Sequence, residues 1–304
     1  MQTTVQTAQK TAEASAPQRA PDRFRKLEKD AFDAIVVGAG TGGLTAAALL
    51  AKRGRSVLVL DRHYVAGGNA TVFHRRGYQF DVGLHYIGGC EPDGHIPRIL
   101  CAAGVEDVVF RELDPDGFDT LVFPDFTFRV PKGIDAFRAR LIERFPSEAS
   151  GIDRYLAMLR GVWSLQELRG AGFAQSVRTL WQARKALWNI NSTLKRFLGA
   201  CTADQKLQAV LAAQSGDYAE PPSRASLMMH AVVTASYLMG AYYPVGGAQA
   251  ISDQLAKSIE RHGGKILLMS EVTRIVVEDG RAVGVEYGID DGRAFTARSL
   301  GNHG

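Results

Sequence analysis

The chain has 304 residues, 46% of them hydrophobic and 22% charged, which is enough for one or two globular domains. Its formal net charge of +4 is too small to indicate nucleic-acid binding. The three cysteines lack Cys-x-x-Cys spacing and are odd in number, which argues against a zinc site and a disulfide framework. We therefore expect no metal and a reducing, cytoplasmic compartment.

The N-terminus is rich in Gln, Thr, Ala, Ser and Pro and has no apolar core of the kind that a signal peptide needs. We interpret residues 1–31 as a disordered tail. A mitochondrial or plastid transit peptide is the alternative, because acidic residues are few before Asp22. No apolar run reaches the roughly 18 residues of a spanning helix, so we expect the chain not to cross a membrane.

A strand, a glycine turn and a helix follow one another from Ala34 to Gly54, and an apolar strand then ends on Asp61. This order predicts one βαβ unit. Short strands separated by turn residues follow between 110 and 130, and the spacing of apolar residues then predicts helices over 134–145, 150–168 and 173–198.

The βαβ pattern returns after Tyr243, with a predicted helix over 249–261 and a strand over 265–268. Asp279-Gly280 then predicts a two-residue hairpin between two strands. Together these elements predict an α/β fold: a doubly wound, Rossmann-type domain from residues 32–110 and 244–304, with an inserted, mainly helical domain from residues 111–243.

The glycines between the first strand and the first helix form the pattern Gly-x-Gly-x-x-Gly, from Gly38 through Gly40 to Gly43. The pattern is weak alone, but here a buried strand precedes it and a helix follows it. We expect Gly38 to make the turn, Gly40 to let a pyrophosphate approach, and Gly43 to let the helix pack on the strand. The N–H groups of Thr41 and Gly42 then face the phosphates.

Asp61 follows the glycine pattern by about 20 residues and ends the second strand, where a carboxylate accepts hydrogen bonds from a ribose 2′-hydroxyl.

Residues 32–89 resemble the N-terminal FAD-binding region of flavoproteins related to phytoene desaturase, carotenoid isomerase and all-trans-retinol saturase. The motifs are VVGAGTGG at 36–43 and FDVGLHYIGG at 80–89, and the resemblance resumes over 242–285 with YYPVGGAQA. It implies FAD as cofactor, so that the doubly wound domain is an FAD/NAD(P)-binding domain and the inserted domain is a substrate domain. It also implies that the glycine pair after Asp61 wraps the pyrophosphate and that the backbone of a valine in the hairpin contacts the adenine. The residues so assigned are Arg62, Gly67, Gly68, Asn69 and Val272.

The resemblance places His85 and Tyr86 in the segment that passes near the flavin ring. Since flavin carries the hydride, the protein supplies orientation, exclusion of water and a proton donor, for which either side chain is a candidate. A packing histidine and a core tyrosine are the alternatives. We expect Asp81 to be a turn or capping residue and His230 to be a hydrogen-bonded core residue.

The function implied by the resemblance is redox chemistry on carbon–carbon double bonds of a lipophilic isoprenoid, carotenoid or retinoid-like polyene: desaturation, saturation or isomerisation. A flavin amine oxidase, a non-catalytic isoprenoid-binding protein of the same fold and an inactive fragment remain alternatives. Members of this family continue further than residue 304, so we expect an incomplete flavin site and little turnover.

Residues 168–203 contain no acidic side chain, and six Lys and Arg residues accompany an apolar stripe with two tryptophans. The pattern predicts peripheral contact of residues 169–198 with a membrane surface; a solvated basic face over an ordinary core stripe is the alternative.

Overall fold

The computed structural model of the protein describes residues 30–164, 191–289 and 294–299. It contains two compact units, one from Met1–Ala66 with Ile259–Gly304 and one from Gly67–Ser258. These limits differ from the predicted boundaries at 110 and 244, and the assignment of an FAD domain and a substrate domain remains a prediction. Residues 1–29 of the predicted tail and residues 169–190 of the predicted membrane-contact segment lie outside the described residues.

The first unit contains two sheets. Its strands are β1 (Ala31–Phe32), β2 (Ala34–Val37), β3 (Val57–Leu60), β10 (Lys265–Leu267), β11 (Ser270–Glu278), β12 (Arg281–Ile289) and β13 (Ala294–Ser299). The three-stranded parallel sheet has the order β10-β3-β2, and the four-stranded sheet has the order β1-β13-β12-β11. Helix α1 spans Thr41–Lys52 and connects two strands of the parallel sheet.

The central strand β3 explains why the parallel sheet forms here. Its four apolar residues are all buried, and it pairs in parallel with β2 on one side and β10 on the other. A strand covered on both faces needs such a continuous apolar run. The Asp279-Gly280 turn is also as predicted, with φ of +47° and +76°, the mirror-image turn that suits a two-residue hairpin.

The second unit is mainly helical, with short antiparallel strand pairs. Its strands are β4 (Val72–Arg75), β5 (Tyr78–Asp81), β6 (Phe110–Glu112), β7 (Asp119–Val122), β8 (Thr127–Val130) and β9 (Tyr242–Pro244). Its helices are α2 (His95–Ala102), α3 (Ile134–Arg144), α4 (Ala149–Ser164), α5 (Leu194–Cys201), α6 (Gln205–Leu211) and α7 (Leu227–Met239); α8 (Gln249–Arg261) crosses the boundary to the first unit.

The core of the second unit forms around α4, whose buried face includes Ile152, Tyr155 and Leu159. Their spacing of three and four residues is that of one helical face. Gly151 allows α4 to approach α5 closely, because a Cβ there would lie 2.3 Å from the Cys201 carbonyl oxygen. None of the described helices has the length and apolarity that a membrane span requires.

The described elements agree with the predicted mixture of parallel α/β structure and helices, and the predicted helix over 249–261 is α8. The β4–β5 hairpin was missed. Its turn is Arg76-Gly77, with φ of +51° and +82°, and arginine is a poor signal for a left-handed position. The alternation of aromatic and polar residues from Tyr78 to Asp81, directly after Gly77, was the available signal.

His230 lies in α7 with none of its surface exposed. Its Nε2 lies 2.8 Å from the Tyr155 hydroxyl and its Nδ1 lies 2.9 Å from the Tyr218 hydroxyl. Burial lowers the pKa of His230 from 6.5 to about 4. The side chain is therefore a neutral, hydrogen-bonded core residue, as expected from its place in an apolar helix.

We predict that protonation of His230 in the unfolded chain destabilises the fold in mild acid. Above pH 6.5 the imidazole is neutral in both states. Between pH 6.5 and about 4 only the unfolded state binds the proton, so the free energy of unfolding falls as the pH falls. The shift corresponds to about 3 kcal/mol. Denaturant unfolding of the parent and of His230→Gln at several pH values measures it; equal pH dependence in both proteins would contradict the prediction.

Candidate functional site

The glycine loop joins β2 to α1 and is held by both neighbouring strands. Gly38 has φ of +102°, and its N–H donates to the Leu60 carbonyl over 2.7 Å. Gly43 lies where the helix touches the loop, because a Cβ there would be 2.1 Å from the Gly38 carbonyl oxygen. The steric roles predicted for the first and third glycines therefore have a direct geometric basis.

Gly40 and Gly42 face open space, since a Cβ added at either position meets no atom within 4 Å. Gly40 is also the N-cap of α1 and offers no side-chain cap, and the first helical turn contains no acidic residue. The first N–H groups of a helix have no partner within the helix, and its N-terminus carries partial positive charge. The start of α1 thus offers N–H donors without a side-chain cap, beside two positions that have open space, an arrangement that suits a phosphate.

Asp61 follows β3 and uses both carboxylate oxygens. Oδ2 accepts from the Ala39 N–H over 2.6 Å, and Oδ1 accepts from the His63 N–H over 2.8 Å. Each oxygen retains a further lone pair, so acceptance from a ribose hydroxyl stays compatible with these bonds. The sequence did not reveal this second role of Asp61, which is to hold the glycine loop.

Two further predicted contact residues belong to the first unit. Arg62 is exposed and forms a long ion pair, 4.0 Å, with exposed Glu271; such surface pairs contribute little. Val272 pairs with Tyr287 in the β11–β12 hairpin, next to a break in the regular register. The predicted contacts of both residues with a cofactor stay predictions.

Gly67, Gly68 and Asn69 belong to the second unit. Gly67 has φ of +131°, and a Cβ there would lie 2.6 Å from the Ala70 carbonyl oxygen and from the Ser252 hydroxyl. Gly68 has φ of +59°, and its carbonyl accepts from the Thr71 hydroxyl. Glycine is thus required at the first position by space, whatever binds there.

Asn69 is exposed, and its backbone carbonyl accepts from the Gly83 N–H over 3.1 Å. Its side chain lies against Gly83, whose added Cβ would be 3.1 Å from the Asn69 Cβ.

His85 and Tyr86 also belong to the second unit, and they differ in environment. His85 is exposed, whereas the Tyr86 ring packs edge-on against Phe118 and Tyr237. The Tyr86 hydroxyl donates to Asp119 Oδ2 over 3.0 Å. Burial raises the pKa of Tyr86 well above its usual value, and the neighbouring carboxylates raise it further. Tyr86 therefore keeps its proton at neutral pH.

Asp81 has the capping role that we expected. Its Oδ1 accepts from the Ala248 N–H over 2.9 Å, just before α8, and its Oδ2 accepts from the Tyr243 hydroxyl. Burial, with Asp81 beside it, raises the pKa of Tyr243 to about 12. This carboxylate thus fastens β5 to the glycine turn that precedes α8.

We predict opposite effects of alanine at two neighbouring glycines of α1. Gly43→Ala places a methyl group against the Gly38 carbonyl and should destabilise the fold by about 1–3 kcal/mol. Gly42→Ala meets open space, and the helix propensity of alanine should stabilise the fold by about 0.5–1 kcal/mol. Denaturant unfolding of both variants measures this difference, and equal stability would refute the steric role of Gly43.

A model of the NAD(P)-binding Rossmann-like domain family matches residues 36–102. The all-trans-retinol 13,14-reductase of Danio rerio is 34% identical over 272 residues, which are 83% of this chain and 44% of that protein. Chloroplastic prolycopene isomerase 1 of an Oncidium hybrid cultivar is 31% identical over 288 residues, 90% of this chain and 48% of that protein. The chain thus spans about half the length of the curated relatives it matches.

Two solved structures show the same fold. A protein from Pyrococcus furiosus has a TM-score of 0.59 at 21% identity, over 87% of this chain and 57% of that chain. A putrescine oxidase has a TM-score of 0.56 at 19% identity, over 88% and 57%. The predicted Rossmann-type α/β class and the predicted resemblance are both confirmed: the chain is similar to all-trans-retinol 13,14-reductases and to prolycopene isomerases.

Proposed function

We propose that the protein binds FAD through the glycine loop of its first unit. The observation that carries the proposal is the open space at Gly40 and Gly42 in front of an uncapped helix N-terminus. The N–H groups of Thr41 to Gly43 would hold the pyrophosphate and Asp61 would hold a ribose hydroxyl. For Arg62, Gly67, Gly68, Asn69 and Val272, the predicted contacts rest on the family resemblance.

The proposed reaction is redox chemistry on a carbon–carbon double bond of a lipophilic polyene. The substrate class comes from the relatives, an all-trans-retinol 13,14-reductase and a prolycopene isomerase. When bound, a flavin supplies hydride exchange with the substrate. The chain's own residues orient the polyene, exclude water and hold a proton, and we assign the last role to the Tyr86–Asp119 pair because the phenol stays protonated.

Two alternatives follow from the fold. The likeness to putrescine oxidase concerns the fold alone at 19% identity, so it does not support an amine substrate. A carrier of isoprenoid groups without redox chemistry would need no nucleotide. The flavin content of the purified protein therefore distinguishes such a carrier, which needs no flavin, from a polyene oxidoreductase or an amine oxidase, which both do.

We predict that the purified chain carries flavin and that Gly40→Val removes it. A valine side chain would fill the space through which the pyrophosphate reaches the backbone. The absorption spectrum of the purified protein measures the flavin, and its bleaching or recovery on anaerobic addition of polyenes measures hydride exchange. Gly199→Val is the matched control, at an open helical position of the second unit.

A folded Gly40→Val protein as yellow as the parent would overturn the assignment of the loop. If the parent protein carries flavin whose absorption no polyene changes, the proposed substrate class is wrong, whereas the assignment of FAD as cofactor still holds.

We also propose a membrane surface as a partner, with residues 169–198 as the contact and the remainder of the protein in the cytoplasm. A lipid-soluble substrate favours such a position.

The membrane contact predicts sedimentation with anionic vesicles that weakens with added salt, at about 1 kcal/mol per well-placed Lys or Arg. Replacement of Arg184, Lys185, Lys195 and Arg196 by Glu reverses their charge and should abolish sedimentation with the vesicles. The same replacement at exposed Lys257 and Arg281 should not abolish it. Unchanged sedimentation of the fourfold variant would reject the contact.

A further inference from the structure

The β4–β5 hairpin projects from the second unit. Every residue from Phe73 to Phe80 is exposed, on both strands and in the turn. The base of the hairpin, in contrast, is fixed. The Val82 N–H donates to the Thr71 carbonyl over 3.0 Å, and the Asp81 carboxylate accepts from the Ala248 N–H. Since a two-stranded hairpin alone is marginally stable in water, these contacts hold the projecting part in place.

One face of the hairpin is aromatic. Cross-strand partners share a face, and neighbours along a strand alternate between faces. The face that we call the aromatic face carries Phe73, Phe80, Tyr78 and Arg75. The Phe73 and Phe80 rings stack with centroids 5.2 Å apart, and the Tyr78 ring lies 6.4 Å from that of Phe80.

The rings of the aromatic face are open to solvent. The exposed fractions are 44% for Phe73, 46% for Phe80 and 70% for Tyr78. Single exposed apolar residues are common, but neighbouring ones that form a continuous patch usually mark an interaction site. The aromatic face therefore has the character of a contact surface.

The opposite face of the hairpin lies against the turn that precedes α8. A Cβ added at Gly247 in that turn would lie 3.0 Å from Gln79 Nε2, 3.3 Å from Asp81 Oδ1 and 3.5 Å from Val72 Cγ1. These three side chains belong to the opposite face. The aromatic face is therefore directed away from this turn.

The hairpin is also basic. Residues 67–80 contain no acidic side chain, and His74, Arg75 and Arg76 lie in or beside the turn. The projecting end thus combines aromatic rings with positive charge. A partner that matches it offers negative charge and an apolar region together.

Arg76 occupies a position that its backbone conformation does not favour. Its φ is +51°, and the mirror-image turn of a two-residue hairpin prefers Asn or Gly there. A positive φ is uncommon for a residue with a long side chain. The turn keeps a cation at some cost to its own stability, which indicates a use for that charge outside the fold.

These properties select among partners. A second copy of the chain would bring two basic tips together, and a stable protein interface takes roughly 20 to 30 residues on each side. The aromatic face has far fewer. A bilayer with anionic headgroups offers negative charge at its surface and an apolar boundary just beneath it, where aromatic rings are favoured. It also needs no matched surface, so a small contact suffices.

We propose that the aromatic face of the β4–β5 hairpin docks on a bilayer that contains anionic lipid. Its rings lie at the boundary between headgroups and acyl chains, and Arg75 and Arg76 contact the anionic headgroups. This contact goes beyond the one proposed for residues 169–198, because it uses another segment and does not depend on that one. A single weak contact gives marginal membrane binding, and a second contact on the same chain raises the overall affinity.

The test is sedimentation of the purified chain with two kinds of vesicle: phosphatidylcholine alone, and phosphatidylcholine mixed with phosphatidylserine. Phe73→Ser combined with Phe80→Ser should weaken binding to both vesicles by at least about tenfold, since apolar burial is lost. Arg75→Glu combined with Arg76→Glu should weaken binding to the anionic vesicles by at least about twentyfold, and to the neutral vesicles by less than about twofold.

Arg76→Asn separates binding from folding. Asparagine accepts the left-handed conformation more readily than arginine, so this variant should unfold at a higher denaturant concentration than the parent. Its binding to the anionic vesicles should nevertheless weaken about fivefold, the effect of one well-placed charge. A purely structural role of Arg76 predicts no such opposite changes.

Val122→Ser is the matched control for the rings, because Val122 is 78% exposed at the end of β7 in the same unit. Arg98→Glu combined with Arg111→Glu is the control for charge, at exposed positions of that unit. Both controls should bind within about twofold of the parent, since their charges and side chains lie outside the contact. Circular dichroism and thermal unfolding establish that each variant is folded.

Hairpin variants that sediment like the parent would overturn the proposal, and so would equal losses in the controls. No sedimentation of the parent with either vesicle would also overturn it. Tighter binding to a single-stranded polynucleotide than to anionic vesicles, or self-association that the Phe73 and Phe80 replacements abolish, would assign the aromatic face to another partner.

The fourfold Glu variant of residues 184–196 keeps the two membrane contacts distinguishable. Loss of binding in that variant, with the hairpin variants unchanged, rejects only the hairpin. Loss of binding in the hairpin variants, with the fourfold variant unchanged, supports the hairpin and rejects only the contact of residues 169–198.

Discussion

The hydrogen bond from the Ala39 N–H to Asp61 joins the ends of β2 and β3, and the position of the glycine loop depends on it. The loop contains glycines that have little conformational preference of their own. A carboxylate fixed at the end of a buried strand supplies the missing restraint, and Gly38 adds a second bond to Leu60. The free donors at the start of α1 are therefore positioned before any ligand arrives, which reduces the entropy that binding must overcome.

The parts of the site that the sequence could predict are those set by local sterics. Gly43 must be small because a side chain there would meet the carbonyl of Gly38 in the preceding turn, and Asp279-Gly280 must turn because both residues accept positive φ. These constraints act over a few residues and leave a pattern in the sequence. The order of strand, turn and helix then follows from apolar periodicity.

The parts that the sequence could not predict are contacts between distant residues. Asp81 accepts from Ala248, and Tyr86 donates to Asp119. Neither pair leaves a periodic or motif signal, because the sequence alone does not show which distant group a given carboxylate contacts.

Polar groups that are met inside the protein differ from those at the start of α1. His230 is fully buried, and both of its ring nitrogens lie within hydrogen-bonding distance of tyrosine hydroxyls, so its hydrogen-bonding capacity is met within the second unit. The first N–H groups of α1 have no side-chain cap, and the neighbouring positions Gly40 and Gly42 face open space. Burial alone therefore does not distinguish a structural residue from a binding residue. The distinction is whether the hydrogen-bonding capacity of a group is met inside the protein, because an unmet donor needs water or a ligand as its partner.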